Sequence, residues 1–181
     1  MADSSLQEQL RKYLTDAHSI EEQALAQLEV APRLAGDAEL ARIFQEHLGE
    51  TRGHESMTRA RLEALGADTS TLKDAVVKAG AAGFLLFAKV QPDTPGKLVA
   101  HTYSYEHMEL AAYELLGRVA ERAGDDETVQ LARRSSCSRR GRSSRPTSSL
   151  RASSRSTSWR RATSRSSSTR VSTRSVVSPR C

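Results

Sequence analysis

Aromatic residues make up only 4% of this 181-residue chain. β-branched residues are also few, and no stretch alternates with the period of a half-buried strand, which leaves little from which to build a sheet. Long apolar runs are missing too. The longest, Ala79 to Ala88, lies between Lys78 and Lys89 and is half the roughly 20 residues that a membrane-spanning helix needs. The first ten residues, "MADSSLQEQL", lack the apolar segment of a secretory signal. These absences predict a soluble, cytoplasmic protein with no membrane partner. The only cysteines are Cys137 and Cys181, so residues 1 to 134 have no disulfide frame. The "GAAG" at 80 to 83 lacks the Lys and Ser/Thr of a phosphate-cradling loop. No His stands near the C-terminal serines, so nothing there reads as a hydrolase nucleophile.

Acidic residues are absent from the last quarter. Residues 1 to 134 hold all 22 Asp and Glu against 15 Lys and Arg, a net of −7. Residues 135 to 181 hold 12 Arg, no Lys and no acid, a net of +12, with 18 Ser in 47 positions. The overall +5 therefore averages two unlike parts.

Three long segments carry helical periodicity. The first, Leu6 to Leu28, has Leu10, Leu14, Ala17, Glu21, Ala24 and Leu28 on one stripe. "APRLAGD" interrupts it. The second, Asp37 to Leu65, has Leu40, Ile43/Phe44, His47, Glu50/Thr51, His54, Met57 and Arg61, and ends at Gly66. The third, Pro95 to Ala123, has Leu98, His101/Thr102, Tyr105, Glu109, Ala112/Tyr113 and Leu116, with Gly124 just past its end. A shorter crossover helix is expected over about 71 to 90. A fourth helix starts at "DDETVQLARR", where Asp125 and Asp126 can cap it. After Arg134 the apolar period stops. The Ser/Arg composition cannot bury enough surface to offset chain entropy, so residues 135 to 181 are expected to be a disordered tail. The sequence thus predicts an all-α bundle over 1 to 134 with a truncated fourth helix.

The inward stripes carry ionisable residues at mid-length: Glu21 on the first helix, His47, Glu50 and His54 on the second, and Glu109, with Glu106 one turn earlier, on the third. A carboxylate facing a core costs several kcal/mol unless it is paired or bound to a cation. Three helices bearing that cost together point to a metal site inside a bundle, with inward carboxylates bridging two cations and imidazoles completing the shell. Carboxylate oxygens with imidazole suit iron or manganese. Each residue alone also has a plainer reading, as a stripe-edge carboxylate reaching water, a core histidine, or an i,i+4 pair. His18 and His101 fall near the site or at a helix edge, His107 points away, and Tyr113 reads as core packing.

At these residues the chain resembles the YciE/YciF family of the ferritin-like superfamily. "LTDAHSIEEQALAQL", "FQEHLGETRGHESMTRARLEALG" and "YSYEHMELAAYELL" carry the resemblance, over about residues 6 to 134. It implies a ferritin-like four-helix bundle with a dinuclear iron centre. Glu21, Glu50, His54, Glu106 and Glu109 would be its ligands. It also implies a bacterial, dimerising protein associated with stress responses, handling iron or reducing peroxide or oxygen; no substrate follows from it. The departure is the fourth helix, which should bring further carboxylate or histidine ligands but turns into Ser/Arg text after Arg134.

Two readings of that text stand side by side. It is a basic arm that holds nucleic acid through phosphates, with Trp159 as its only aromatic. Or it is the product of a shifted reading frame: one codon choice for "SSCSRR", read one base out of register, gives Leu-Leu-Gln-Gln-Glu, the start of an acid-bearing helix. Three function classes follow, namely a dinuclear metal protein, a metal-free bundle with structural or interaction duties, and a nucleic-acid binder driven by the tail.

Overall fold

Aspartate and glycine mark where the helices begin and end. Asp37 is extended (φ −146°, ψ 138°), and its carboxylate accepts the backbone N–H groups of Glu39 and Leu40 at 2.9 and 3.0 Å. That satisfies donors the first helical turn would otherwise leave open. Asp125 does the same for the last helix, accepting the Thr128 N–H at 3.0 Å. Gly66 and Gly124 stand just past the ends of two of the long helices at φ 74° and 70°, a left-handed conformation that a Cβ disfavours.

The computed structural model describes residues 2–67 and 94–143. Within them the chain is all-helical: α1 (Ala2–Leu28), α2 (Ala31–Leu34), α3 (Ala38–Ala64), α4 (Thr94–Ala123) and α5 (Asp126–Ser143). The expected crossover helix over 71 to 90 lies outside the described residues. So do residues 144 to 181, and with them the expectation of a nucleic-acid-binding arm. Among the described residues no helix is long and apolar enough to cross a membrane.

The three long helices fall within a few residues of their expected limits. One short helix, α2, was not anticipated; it folds "APRL" into a single turn, with Pro32 near its start. The larger correction concerns the C-terminal side. The helix expected to stop at Arg134 runs on to Ser143, and Ser135, Ser136 and Arg139 on it are buried. With Thr128, Val129, Leu131 and Ala132 they form a stripe spaced three and four residues apart. Small residues let this stripe lie close to α4, its main neighbour; Gly117 of α4 faces Ala132 there.

α1 packs against both α3 and α4. The core they enclose is apolar at its two ends. One end joins Leu10, Leu14 and Ala17 of α1 to Leu62 of α3, Tyr113 and Leu116 of α4, and Val129 and Leu131 of α5. The other joins Leu28, Ala31 and Ala35 to Leu40, Phe44, Leu98 and Val99. Between them, midway along α1, α3 and α4, most of the buried residues are polar.

Candidate metal centre in the bundle core

Five carboxylates are buried in that middle layer: Glu21, Glu22, Glu55, Glu106 and Glu109. His18, His47 and His54 are buried with them. The layer divides into three groups.

In the first group, Glu21 of α1 and Glu109 of α4 face each other across Arg139 of α5. One guanidinium nitrogen (Nη2) donates to Glu21 Oε1 and the other (Nη1) to Glu109 Oε2. All three side chains are at most 1% exposed. Tyr113 adds two contacts, donating its hydroxyl to Glu21 Oε1 at 2.5 Å and presenting its ring 5.4 Å from the guanidinium carbon. Burial by itself would depress the Arg139 pKa, but Glu21 and Glu109 more than offset it and hold the side chain firmly protonated. Burial first, and then the Glu21 charge, push the Tyr113 hydroxyl well above its ordinary value, so it stays a donor.

In the second group, His18 and Glu22, one turn apart on α1, meet Glu55 of α3. One ligand atom from each lies within 4.8 Å of the others. His18 Nε2 is 3.6 Å from Glu22 Oε1, and His18 Nδ1 is 3.2 Å from the hydroxyl of Thr58. In the third group, His47 Nδ1 lies 3.4 Å from Glu106 Oε1. A small cleft lined by Ala24, Leu28, Thr102 and Tyr105 reaches His47, Glu106 and Glu109. His54 stands edge-on to Tyr113, with ring centroids 6.4 Å apart.

Of the residues the sequence singled out, Glu21, His47, His54, Glu106 and Glu109 are buried in this layer. Glu50 is not; it is exposed, and Thr51 takes the buried place beside it. The reason is helical phase. At about 100° per residue Glu50 sits roughly a quarter-turn from the centre of the buried stripe, and Glu55 roughly half as far. His101 pairs at the edge with Gln27 Oε1 at 3.1 Å, and burial lowers its pKa. His107 is exposed against the Tyr103 carbonyl, as expected.

The expected dinuclear centre does not fit these residues. Its two mid-bundle carboxylates, Glu21 and Glu109, already hold a cation that belongs to the chain, and the bidentate guanidinium fills the space between them. The His18, Glu22 and Glu55 group could hold a metal ion. Sequence reasoning passed over Glu22, Glu55, Thr58 and Arg139. Glu55 and Thr58 were legible as the next steps of a stripe running through Thr51. Arg139 was legible as the next step after Thr128, Ala132 and Ser135, had the Ser/Arg composition not argued against a helix.

The family model described as "Domain of unknown function (DUF892)" matches residues 5–136. No curated protein matches the chain. Among solved structures, a crystal structure of a protein from Xanthomonas campestris pv. campestris is similar, with a TM-score of 0.67 and 25% identity, covering 81% of this chain and 92% of that one.

Proposed function

The chain belongs to the DUF892 family, a domain of unknown function, and from that premise we propose that it is a ferritin-like metal-handling bundle. It takes a transition-metal ion into its buried carboxylate–imidazole layer, iron by preference and manganese next. The observation that carries this reading is the layer itself. Five carboxylates and three imidazoles converge mid-bundle, with a single buried guanidinium among the described residues. Such a layer is stabilised by cations, because desolvated carboxylates cost several kcal/mol each without them.

Of the activities that the YciE/YciF resemblance implies, holding the ion is the one this chain retains. Reduction of peroxide or oxygen at a dinuclear centre needs two ions held close together, and Arg139 takes one of the places. Glu106, His47 and His54 remain with the layer as candidate ligands, and Glu50 stays outside. The resemblance adds a homodimer and a stress-associated role to the proposal, and sedimentation of the purified chain tests the first.

One observation favours a second reading, a metal-free bundle with structural or interaction duties: the Glu21–Arg139–Glu109 pairing needs no ion. Thermal melts of the full chain separate the two. The metal reading expects Fe(II) or Mn(II) to raise the melting temperature, and expects Glu63→Ala, an exposed change, to leave that rise intact. A melting temperature indifferent to both ions would leave the metal-free bundle standing instead.

A further inference from the structure

We propose that His18, Glu22 and Glu55 form a mononuclear site for a divalent first-row transition-metal ion, separate from the Glu21–Glu109 pair. The proposal names the site of the metal reading above and rests on that reading.

The three side chains are 0%, 4% and 8% exposed. Their ligand atoms lie within 4.8 Å of one another. A four-coordinate ion with bonds of roughly 2.0–2.2 Å holds its ligand atoms about 3.3–3.6 Å apart, so closing the site asks for side-chain shifts of about an ångström. An imidazole with two carboxylates suits Mn(II), Fe(II) or Zn(II) and leaves a fourth position open.

The orientation of His18 supports the assignment. The Thr58 hydroxyl donates its one proton to a backbone carbonyl of its own helix, Glu55 at 2.9 Å or His54 at 3.2 Å. Toward His18 Nδ1, 3.2 Å away, it can therefore only accept. That places a proton on Nδ1 and turns Nε2 to the carboxylates, 3.6 Å from Glu22 Oε1. A metal-binding histidine is commonly fixed in this way by a partner on its other nitrogen. Arg59 reaches Glu55 Oε1 at 3.5 Å from the outer side; a carboxylate has two oxygens, so this contact does not exclude ligation.

Co(II) titration of the full-length, chelator-stripped chain, followed by visible absorption, tests the site. One ion per chain is expected. His18→Ala and Glu22→Gln should weaken binding by at least about 100-fold, and Thr58→Val, which frees the ring, by about 10–100-fold. His107→Ala, an exposed change against the Tyr103 carbonyl, should bind as the parent does. Glu22→Gln is nearly isosteric and carries the test if His18→Ala fails to fold, as circular dichroism would show. Undiminished binding in Glu22→Gln, together with loss in His47→Ala, overturns this site while leaving the metal-handling reading in place. No Co(II) bound by the parent overturns both.

Discussion

Glu21 and Glu22 are adjacent on α1, and each begins a buried polar cluster, but the two clusters are balanced by different means. Glu21 faces Glu109 with Arg139 between them, so the balancing charge is covalently part of the chain. Glu22 faces His18 and Glu55, and here the pattern of donors suits an exchangeable ion. The difference shows what one residue on a packing helix can decide. A guanidinium offers a flat fork that two carboxylates can share, each receiving its own N–H. Once it is in place, each of the two carboxylates has a charged donor without any solute. The cluster of imidazole and carboxylates meets a guanidinium only at its edge, where Arg59 lies 3.5 Å from Glu55, so an ion bound there would add to its stability according to what the solution contains.

Removing the fixed cation should have the largest effect. Arg139→Ala leaves two carboxylates facing each other in the core, and breaking a buried pair in this way costs about 3–5 kcal/mol. Urea unfolding measures it. The same variant sharpens the comparison, because Mn(II) or Co(II) should then restore more stability to Arg139→Ala than it adds to the parent. An Arg139→Ala chain as stable as the parent would mean that Glu21 and Glu109 do not depend on the guanidinium.

A smaller loss is expected from Tyr113→Phe, which deletes the 2.5 Å hydrogen bond to Glu21. A bond to a charged acceptor is worth about 1.5–3 kcal/mol. The Co(II) titration should be unchanged in this variant if the two clusters are independent, and a weakened titration would show that they are coupled.

The smallest effect lies at the start of α5, which carries Arg139 into the core. Asp125 caps that helix through the Thr128 N–H and pairs with Arg61 at 2.6 Å. Asp125→Ala should cost about 0.5–2 kcal/mol. Burial alone would raise the Asp125 pKa, but the Thr128 N–H and Arg61 outweigh it and hold the carboxyl below its ordinary value. Its contribution is therefore complete above the ordinary carboxylate range and is lost as pH falls through the lowered value in the fold. Urea midpoints between about pH 5 and pH 2 should fall less steeply for Asp125→Asn than for the parent. Parallel slopes would remove Asp125 from the acid response.

Much of the fold was legible in the sequence. The periodic stripes of α1, α3 and α4, the breaks at Gly36, Gly66 and Gly124, and the placing of carboxylates and imidazoles among apolar residues are all local features. The inward burial of Glu21, His47, His54, Glu106 and Glu109 followed from them. Two errors came from treating a local rule as sharper than it is. A three-residue step and a four-residue step from His47 both look inward, and only the packed helix decides that Thr51, not Glu50, lies against its neighbours. A Ser/Arg composition gives no apolar stripe of its own. A helix already started by Asp125, Val129 and Leu131 can nevertheless continue through it, because small serines allow close approach to α4.

Helix period and the termini marked by Asp37, Gly66, Gly124 and Asp125 were thus set by the sequence itself, since both depend on residues within a few positions of one another. The identity of the partners was not, because it depends on residues brought together from distant places. Glu21 meets Arg139 across 118 positions of chain, and Glu109 meets the same guanidinium across 30. His18 meets Thr58 across 40. A stripe states that a carboxylate will be buried and must find a positive partner. Only the packing of α5 on α4, and of α3 on α1, decided that one carboxylate pair would find an arginine and that His18, Glu22 and Glu55 would come close enough together that they could hold an ion.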